Sequence, residues 1–224
     1  MSSFRFPRFL SLRHLILCGR AGAVISTIDK FLHEQNVIET ILTQYREFCH
    51  SDDAQRLRIS EGPITNETLL RLRFECLSFS TFLASLQSAG FFTEKRWFKT
   101  RPNQELIKMF DRALGSTLTR FCNANGVDTL REIAIVAVTP KPTFGFGEKV
   151  DPVNRLEEYQ RAFERARGSE VECFGKWVGK TLDPPNYPLL ELIGVSFGSL
   201  LLQLSHVAMV HVFMAGEDEL RRDD

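Results

Sequence analysis

Residues 189–215, LLELIGVSFGSLLLQLSHVAMVHVFMA, decide the fold class of this 224-residue chain. Glu191 is the single charged residue of the stretch. Its apolar positions occur all the way around a helical wheel and do not form one stripe. A helix of this kind is either the centre of a helical bundle or a membrane span. The two interpretations, a core helix and a membrane span, imply different functions.

Length and packing motif support a membrane span in 189–215. Tyr187 lies at one edge, and Gly194-x-x-x-Gly198 has the small-residue spacing that lets two membrane helices approach closely. Against a span, the basic residues on the two flanks give no orientation. The stretch also contains six uncharged polar or histidine side chains: Ser196, Ser199, Gln203, Ser205, His206 and His211. We therefore favour a buried core helix and keep a tail anchor as the alternative.

The same segment contains a catalytic motif. Residues Gly194–Gly198 match G-x-S-x-G, the strand-to-helix turn that exposes a serine nucleophile in α/β-hydrolases, with 189–194 as the feeding strand. That fold needs an acid and a histidine from later elements, whereas His206 and His211 would lie on the serine's own helix. A serine hydrolase using Ser196 is therefore a second alternative, and no catalytic residue is assigned.

Two further motifs precede this helix. The sequence from Gly175 to Thr181 is one residue too short for the phosphate-binding loop G-x-x-x-x-G-K-[ST], which argues against nucleotide binding. Pro184, Pro185 and Tyr187 spell P-P-x-Y, a motif that WW domains bind in a polyproline conformation, and these three residues are the candidate partner-binding residues. The alternative is that the two prolines end one element and that Asn186 caps the next helix.

The remaining sequence is dominated by helical periodicity. A seam spaced 4-3-4-3-4-3-4 from Val24 to Cys49 predicts one long helix over 22–50, and similar patterns predict helices over 67–89 and 103–125. The second helix is expected to be buried on more than one side, and the third to be capped by Asn103. The apolar run 130–138 fits a strand or a helix, and we favour a helix.

Together these patterns predict a mostly all-α, single-domain bundle of five or six helices with a hydrophobic C-terminal helix. The bundle is expected over 22–215 with a long loop at 139–153, preceded by a basic segment, 1–21, and followed by a charged tail, 216–224. With 28 basic and 28 acidic residues the net charge is zero, which excludes the basic field typical of nucleic-acid binding.

The cysteines and the N-terminus bear on localisation. Five widely spaced cysteines without a C-x-x-C pair indicate reduced thiols in an intracellular, cytoplasmic protein, and they give no support to structural zinc or an iron–sulfur cluster. The first 28 residues are rich in arginine and contain no acid, a composition typical of a mitochondrial transit peptide. Mitochondrial and membrane-associated locations are therefore the alternatives.

Metal and cofactor chemistry has little support in the sequence. Glu47-x-x-His50 has helical ligand spacing, and Glu39 and Glu75 could add carboxylates, but a di-iron bundle needs that motif twice. We expect no metal and no cofactor. The sequence thus predicts a non-enzymatic interaction or scaffold protein that binds another protein through exposed helical faces, and a homo-oligomer is compatible with its long seams.

Overall fold

The structure is a computed structural model that describes residues 12–96, 99–138 and 141–220. This part of the chain forms an all-α fold with eight helices and two small antiparallel hairpins. The helices are α1 (Leu12–Glu34), α2 (Val37–Cys49), α3 (Asp52–Arg56), α4 (Asn66–Phe91), α5 (Gln104–Ala124), α6 (Pro152–Arg165), α7 (Ser169–Leu182) and α8 (Tyr187–Leu220). The strands are β1 (Thr93–Arg96), β2 (Lys99–Pro102), β3 (Arg131–Val138) and β4 (Lys141–Lys149), and short 3-10 helices span Val127–Thr129 and Pro184–Asn186.

The hydrophobic C-terminal helix belongs to the bundle, as predicted. One side of α8 packs against α7, α4 and α1. Leu190, Leu201, Ala208 and Met209 are fully buried there, and Phe213 is nearly so. Burying a large apolar side chain contributes about 1.5–3 kcal/mol, so this side of α8 stabilises the fold substantially.

Helix α4 runs through the centre of the bundle. Thr65 accepts a hydrogen bond from the backbone N–H of Thr68 at 3.1 Å, and the Thr68 hydroxyl accepts one in return from the backbone N–H of Thr65. This capping box fixes the start of the helix. Almost every position from Arg71 to Ala84 is buried, which confirms the prediction of a helix buried on more than one side. Asn103 caps α5 as predicted, because its side chain accepts from Leu106 N at 3.1 Å.

The single helix predicted over 22–50 is wrong. The chain leaves α1 at Glu34 and starts α2 at Val37, and Asn36 between them adopts a left-handed conformation with φ of 49°. Asparagine tolerates this conformation better than most residues. The predicted seam continues on both sides because Ile28 is buried in α1 and Leu42 and Tyr45 are buried in α2, so periodicity alone could not detect the break.

The helix favoured for 130–138 is also wrong, because Arg131–Val138 is strand β3. Its partner β4, Lys141–Lys149, occupies much of the segment predicted as a loop at 139–153. The two strands are antiparallel, with a register shift between Arg131 and Ile133. A continuous apolar run fits a strand as well as a helix, and the partner strand was hidden by its proline and glycines.

The predicted terminal segments overlap the outer helices. Residues 1–11 of the basic segment lie outside the described residues, whereas 12–21 form the start of α1, where Leu17 and Ala21 are buried. At the other end α8 extends past 215 to Leu220, and residues 221–224 of the predicted tail lie outside the described residues. Leu17 and Ala21 of the arginine-rich N-terminus therefore belong to the hydrophobic core. The division into a basic segment, a helical bundle and a charged tail stays a prediction.

Candidate functional site

The side of α8 that faces away from the bundle is exposed and uncharged. We call it the outer face of α8. Leu192 is 74% exposed, and Met214 at the other end is 57% exposed. The remaining exposed positions are Pro188, Leu189, Ser196, Ser199, Leu202, Gln203, His206, Val207, Val210 and His211. Soluble proteins rarely leave large contiguous apolar surfaces uncovered, so this face is the candidate interaction surface.

Residues Pro184–Met214 are long and apolar enough to cross a membrane, but only 44% of their most apolar window is buried inside the bundle. The central helix of a bundle would be mostly buried, and a membrane span would have its whole circumference in lipid. Helix α8 matches neither extreme: one half is integrated into the core, and the other half is open.

The glycine motif of α8 is used within the chain. A Cβ atom placed on Gly194 would lie 2.7 Å from the Cα of Gly175, and one placed on Gly175 would lie 2.5 Å from the carbonyl oxygen of Glu191. A Cβ atom placed on Gly179 would lie 2.6 Å from the carbonyl oxygen of Tyr187, and one placed on Gly198 would lie 2.6 Å from the side chain of Val171. The Gly194-x-x-x-Gly198 spacing, predicted for pairing of membrane helices, thus brings α7 and α8 together.

The G-x-S-x-G pentapeptide lies inside α8. Residues 189–194 are helical, as the favoured interpretation predicted, so neither the strand nor the strand-to-helix turn that the hydrolase alternative needs is formed. Ser196 donates to the carbonyl of Ile193 at 2.7 Å and contacts Gln44 Oε1 at 3.3 Å. His206 follows Ser196 by ten positions, which is about 15 Å of helix at 1.5 Å per residue. The helix therefore keeps this serine and histidine too far apart for proton transfer.

Two other outer-face contacts are polar. His206 Nδ1 lies 3.2 Å from Gln87 Oε1, and the amide of Gln87 donates to the carbonyl of Leu202 at 3.4 Å. On the buried side, Ser205 donates within 2.9 Å of the carbonyl of Ser80. The same hydroxyl lies 2.6 Å from the carbonyl of Leu201 in its own helix, so the buried Ser205 side chain is satisfied within α8 and also contacts α4.

The candidate partner-binding residues lie at the α7–α8 connection. Pro184 and Pro185 form a 3-10 helix, and Tyr187 begins α8, with Lys180 Nζ 5.6 Å from the centre of its ring. The two prolines line a cleft of about 490 Å³. A 3-10 helix differs from the extended polyproline conformation that WW domains bind, so binding would require this segment to open. The residues from Gly175 to Thr181 are helical, so no phosphate-binding loop exists there.

The structure also contains a buried ionic cluster that the sequence did not reveal. Arg155 of α6 is 1% exposed, and its guanidinium pairs with carboxylates from three elements. Its Nη1 donates to Glu158 at 2.7 Å, its Nη2 to Glu132 at 3.2 Å, and its Nε forms an ion pair with Glu75 at 3.2 Å. We call this group the Arg155 cluster. It joins α4, α6 and β3.

Two aromatic residues complete the Arg155 cluster. The Tyr159 hydroxyl donates to Glu75 at 3.1 Å, and the Trp177 indole donates to Glu158 at 2.8 Å. Burial raises the pKa of the Glu75 carboxyl, while Arg155 and Tyr159 act in the opposite direction. Because Glu75 and Tyr159 are enclosed on all sides, the cluster suits the joining of helices better than the binding of a substrate.

Metal-ligand geometry is not formed around Glu47-x-x-His50. His50 Nδ1 lies 2.7 Å from the carbonyl of Arg46, and Glu75 is committed to the Arg155 cluster. In the ranges 12–96, 99–138 and 141–220 no group of three or more His, Cys, Asp or Glu side chains could hold an ion. The five cysteines, which all lie in these ranges, are free thiols, and Cys49, Cys76 and Cys122 are buried.

Comparison with known proteins adds no information on function. No protein-family model, no curated protein and no solved structure matches the chain.

Proposed function

We propose that this protein is a non-enzymatic helical interaction protein that binds another protein chain through the outer face of α8, and that the bound chain is a second copy of itself. One observation carries the proposal: the outer face of α8 has no acidic or basic residue apart from histidine and exposes six large apolar side chains, and less than half of the most apolar window of the helix is buried within the chain. These side chains are Leu189, Leu192, Leu202, Val207, Val210 and Met214. Apolar surface of this kind is covered by association.

The spacing of the outer face favours a second copy. Its central stripe is spaced 4-3-4-3-4 and contains Leu192, Ser196, Ser199, Gln203, His206 and Val210. Because this spacing is the same in both directions, a two-fold axis at residue 201 places an antiparallel copy in register. The apolar ends then meet each other, and each small serine lies opposite a larger polar residue. The opposed residues are Leu192 with Val210, Ser196 with His206, and Ser199 with Gln203.

The absence of charge supports the same partner. From Leu192 to Met214 the sequence contains no acidic or basic residue apart from two histidines, so an interface between two copies would bury no unpaired carboxylate, ammonium or guanidinium group. The small side chains of Ser196 and Ser199 allow close approach of two helices.

Analytical ultracentrifugation of the full chain tests this proposal. Leu192→Glu places a charge on a side chain that is 74% exposed, so we expect a folded monomer in place of the dimer. Leu192→Glu combined with Val210→Lys is expected to restore the dimer, because the new charges meet across the two-fold axis. They cannot meet within one chain, where 18 residues of helix separate them by about 27 Å.

Leu57→Glu serves as the matched control, because Leu57 is an exposed leucine, 59% accessible, outside α8. We expect this variant to stay dimeric. A native chain that sediments as a monomer at every concentration would contradict the proposal, and so would a double variant that stays monomeric.

A tail-anchored membrane adaptor is the second candidate, favoured by the length and hydropathy of Pro184–Met214. It would require α8 to leave the bundle and to expose the partners of Leu201, Met209 and Phe213. Alkaline carbonate washing of membranes from cells that express the chain separates the two candidates. An anchored chain stays in the washed pellet, and a bundle protein is released.

For localisation we propose the cytoplasm, because the five cysteines are free thiols. Burial raises the pKa of Cys122 to about 12 and that of Cys173 to about 11, which keeps these thiols protonated. The mitochondrial alternative would remove residues from the start of α1, where Leu17 is already part of the core.

A further inference from the structure

A groove of about 700 Å³ lies between α4, α5 and α6, and α8 does not line it. Its volume falls within the range of about 300–1,000 Å³ that small-molecule sites occupy. Phe82, Leu114 and Leu156 give it apolar walls, and short hydroxyl side chains such as Ser85 and Thr119 line the rest. Apolar walls with a few polar groups are typical of sites for small organic ligands.

The groove contains a carboxylate without a cationic partner. Asp111 is half-buried, and it accepts a hydrogen bond of 2.7 Å from the Ser85 hydroxyl. Among the described residues Asp111 takes part in no ion pair. Burial raises the pKa of its carboxyl, and no positive charge acts to lower this pKa. Since burying a carboxylate without a counter-ion is costly, this position favours binding of a positive charge.

The other two ionisable residues that line the groove do not neutralise Asp111. Glu157 is bound by Arg161 at 2.9 Å on the exposed side of α6. Arg112 is exposed at the rim of the groove. In the part of the chain that the structure describes, neither Glu157 nor Arg112 forms an ion pair with Asp111.

Gly115 keeps the floor of the groove open. It lies in the middle of α5, where glycine costs about 0.8–1 kcal/mol relative to alanine. Packing does not require it, because an added Cβ would meet only Leu156 Cδ1, at 4.0 Å. Gly115 therefore leaves free space beside Leu156 that a larger side chain would fill.

We propose that this groove binds a small organic cation whose ammonium group pairs with Asp111 and whose apolar body packs on Phe82, Leu114 and Leu156. The Ser85 hydroxyl is bonded to one carboxylate oxygen, and this holds the carboxylate in place for the ligand. The inference rests on α4, α5 and α6 and is independent of the function proposed for α8.

Isothermal titration calorimetry of the full chain with matched probes tests the proposal. The probes are 2-phenylethylamine and hexylamine, each compared with its alcohol, 2-phenylethanol and 1-hexanol. We expect each amine to bind about tenfold more tightly than its alcohol, because the ammonium group forms a charge-assisted hydrogen bond with Asp111 and the neutral hydroxyl forms a weaker one. Equal affinities of amine and alcohol, or the absence of binding by all four compounds, would overturn the proposal.

Two variants locate the site. Asp111→Asn is expected to lower the affinity for the amines to that for the alcohols. The affinity for the alcohols should stay unchanged, and this result would show that the groove of the variant is intact. Asp128→Asn, which changes an exposed acid outside the groove, is the control and should keep the preference for amines. Gly115→Ala should weaken all four ligands without loss of stability. A preference for amines that survives Asp111→Asn would refute the assignment.

Discussion

The guanidinium carbon of Arg155 lies 3.3 Å from the centre of the Trp177 ring, and the same indole donates a hydrogen bond to Glu158, which also pairs with Arg155. Three interactions thus close a triangle between α6 and α7. Arg155 is only 1% exposed, so its side chain lies in a medium of low dielectric where loss of a partner is costly, whereas the Glu158 side chain is 37% exposed.

Replacing Arg155 is therefore expected to destabilise the fold strongly. Arg155→Met leaves Glu75 buried without its counter-ion, and removing one partner of a buried pair costs about 3–5 kcal/mol. Urea denaturation followed by circular dichroism measures the change. Arg155→Met combined with Glu75→Gln should recover much of the loss. Arg161→Met, which breaks an exposed pair with Glu157, is the control and should change stability by less than about 1 kcal/mol.

Asp111 should make stability depend on pH. Burial raises the folded-state pKa of Asp111 above its ordinary value of 3.8, so the folded protein holds this proton more tightly than the unfolded chain. Stability is therefore greatest below pH 3.8 for this group and falls as pH rises through the folded-state pKa. Asp111→Asn removes this decline, so the variant should gain stability relative to the native chain between pH 3.8 and 7. Thermal unfolding across this range measures the difference, and parallel curves would contradict the prediction.

The close contact of α7 and α8 predicts intolerance to a single methyl group. Gly175→Ala places a Cβ 2.5 Å from the backbone oxygen of Glu191, which cannot move without shifting α8. Overpacking of this kind costs about 1–3 kcal/mol. Gly19→Ala in α1 is the matched control: nothing lies within 4 Å of its added Cβ, and it should stabilise the fold by about 1 kcal/mol. Denaturation midpoints of the two variants are expected to shift in opposite directions.

The break between α1 and α2 depends on the conformation of Asn36. Its φ of 49° suits glycine and is strained for a β-branched side chain. Asn36→Gly should leave stability nearly unchanged, whereas Asn36→Val should lower it by about 1–2 kcal/mol. Chemical denaturation distinguishes the two, and equal effects would show that the turn does not impose this backbone conformation.

The sequence predicted those elements whose periodicity is long and whose ends have capping residues. Helices α4 and α5 were predicted nearly to their ends, α4 from its apolar periodicity and α5 also from its cap, Asn103. The break at Asn36 was missed because one left-handed residue leaves the apolar spacing nearly undisturbed. Strand β3 was missed because an apolar run has no period, and its pairing with β4 is a contact that no local pattern contains.

The candidate sites were harder to predict for the same reason. The outer face of α8 was visible as an apolar helix, but only the packed bundle shows which half stays open. The Arg155 cluster combines residues from α4, β3, α6 and α7. One signal was available: Arg155 lies four positions before Tyr159, and this spacing puts a charged residue and an aromatic residue on one face of a helix. A charged residue on such a face indicates a buried partner.

Helices α7 and α8 are consecutive in the chain, and their glycines make the closest backbone contacts described above. Such a local pairing closes a short loop and can form quickly once both helices exist. Yet α8 also covers the apolar sides of α1 and α4, which are synthesised much earlier. During translation α1 and α4 therefore leave the ribosome before α8. Until α8 is synthesised, their apolar sides are uncovered, and this exposed apolar surface makes the nascent chain a substrate for chaperones.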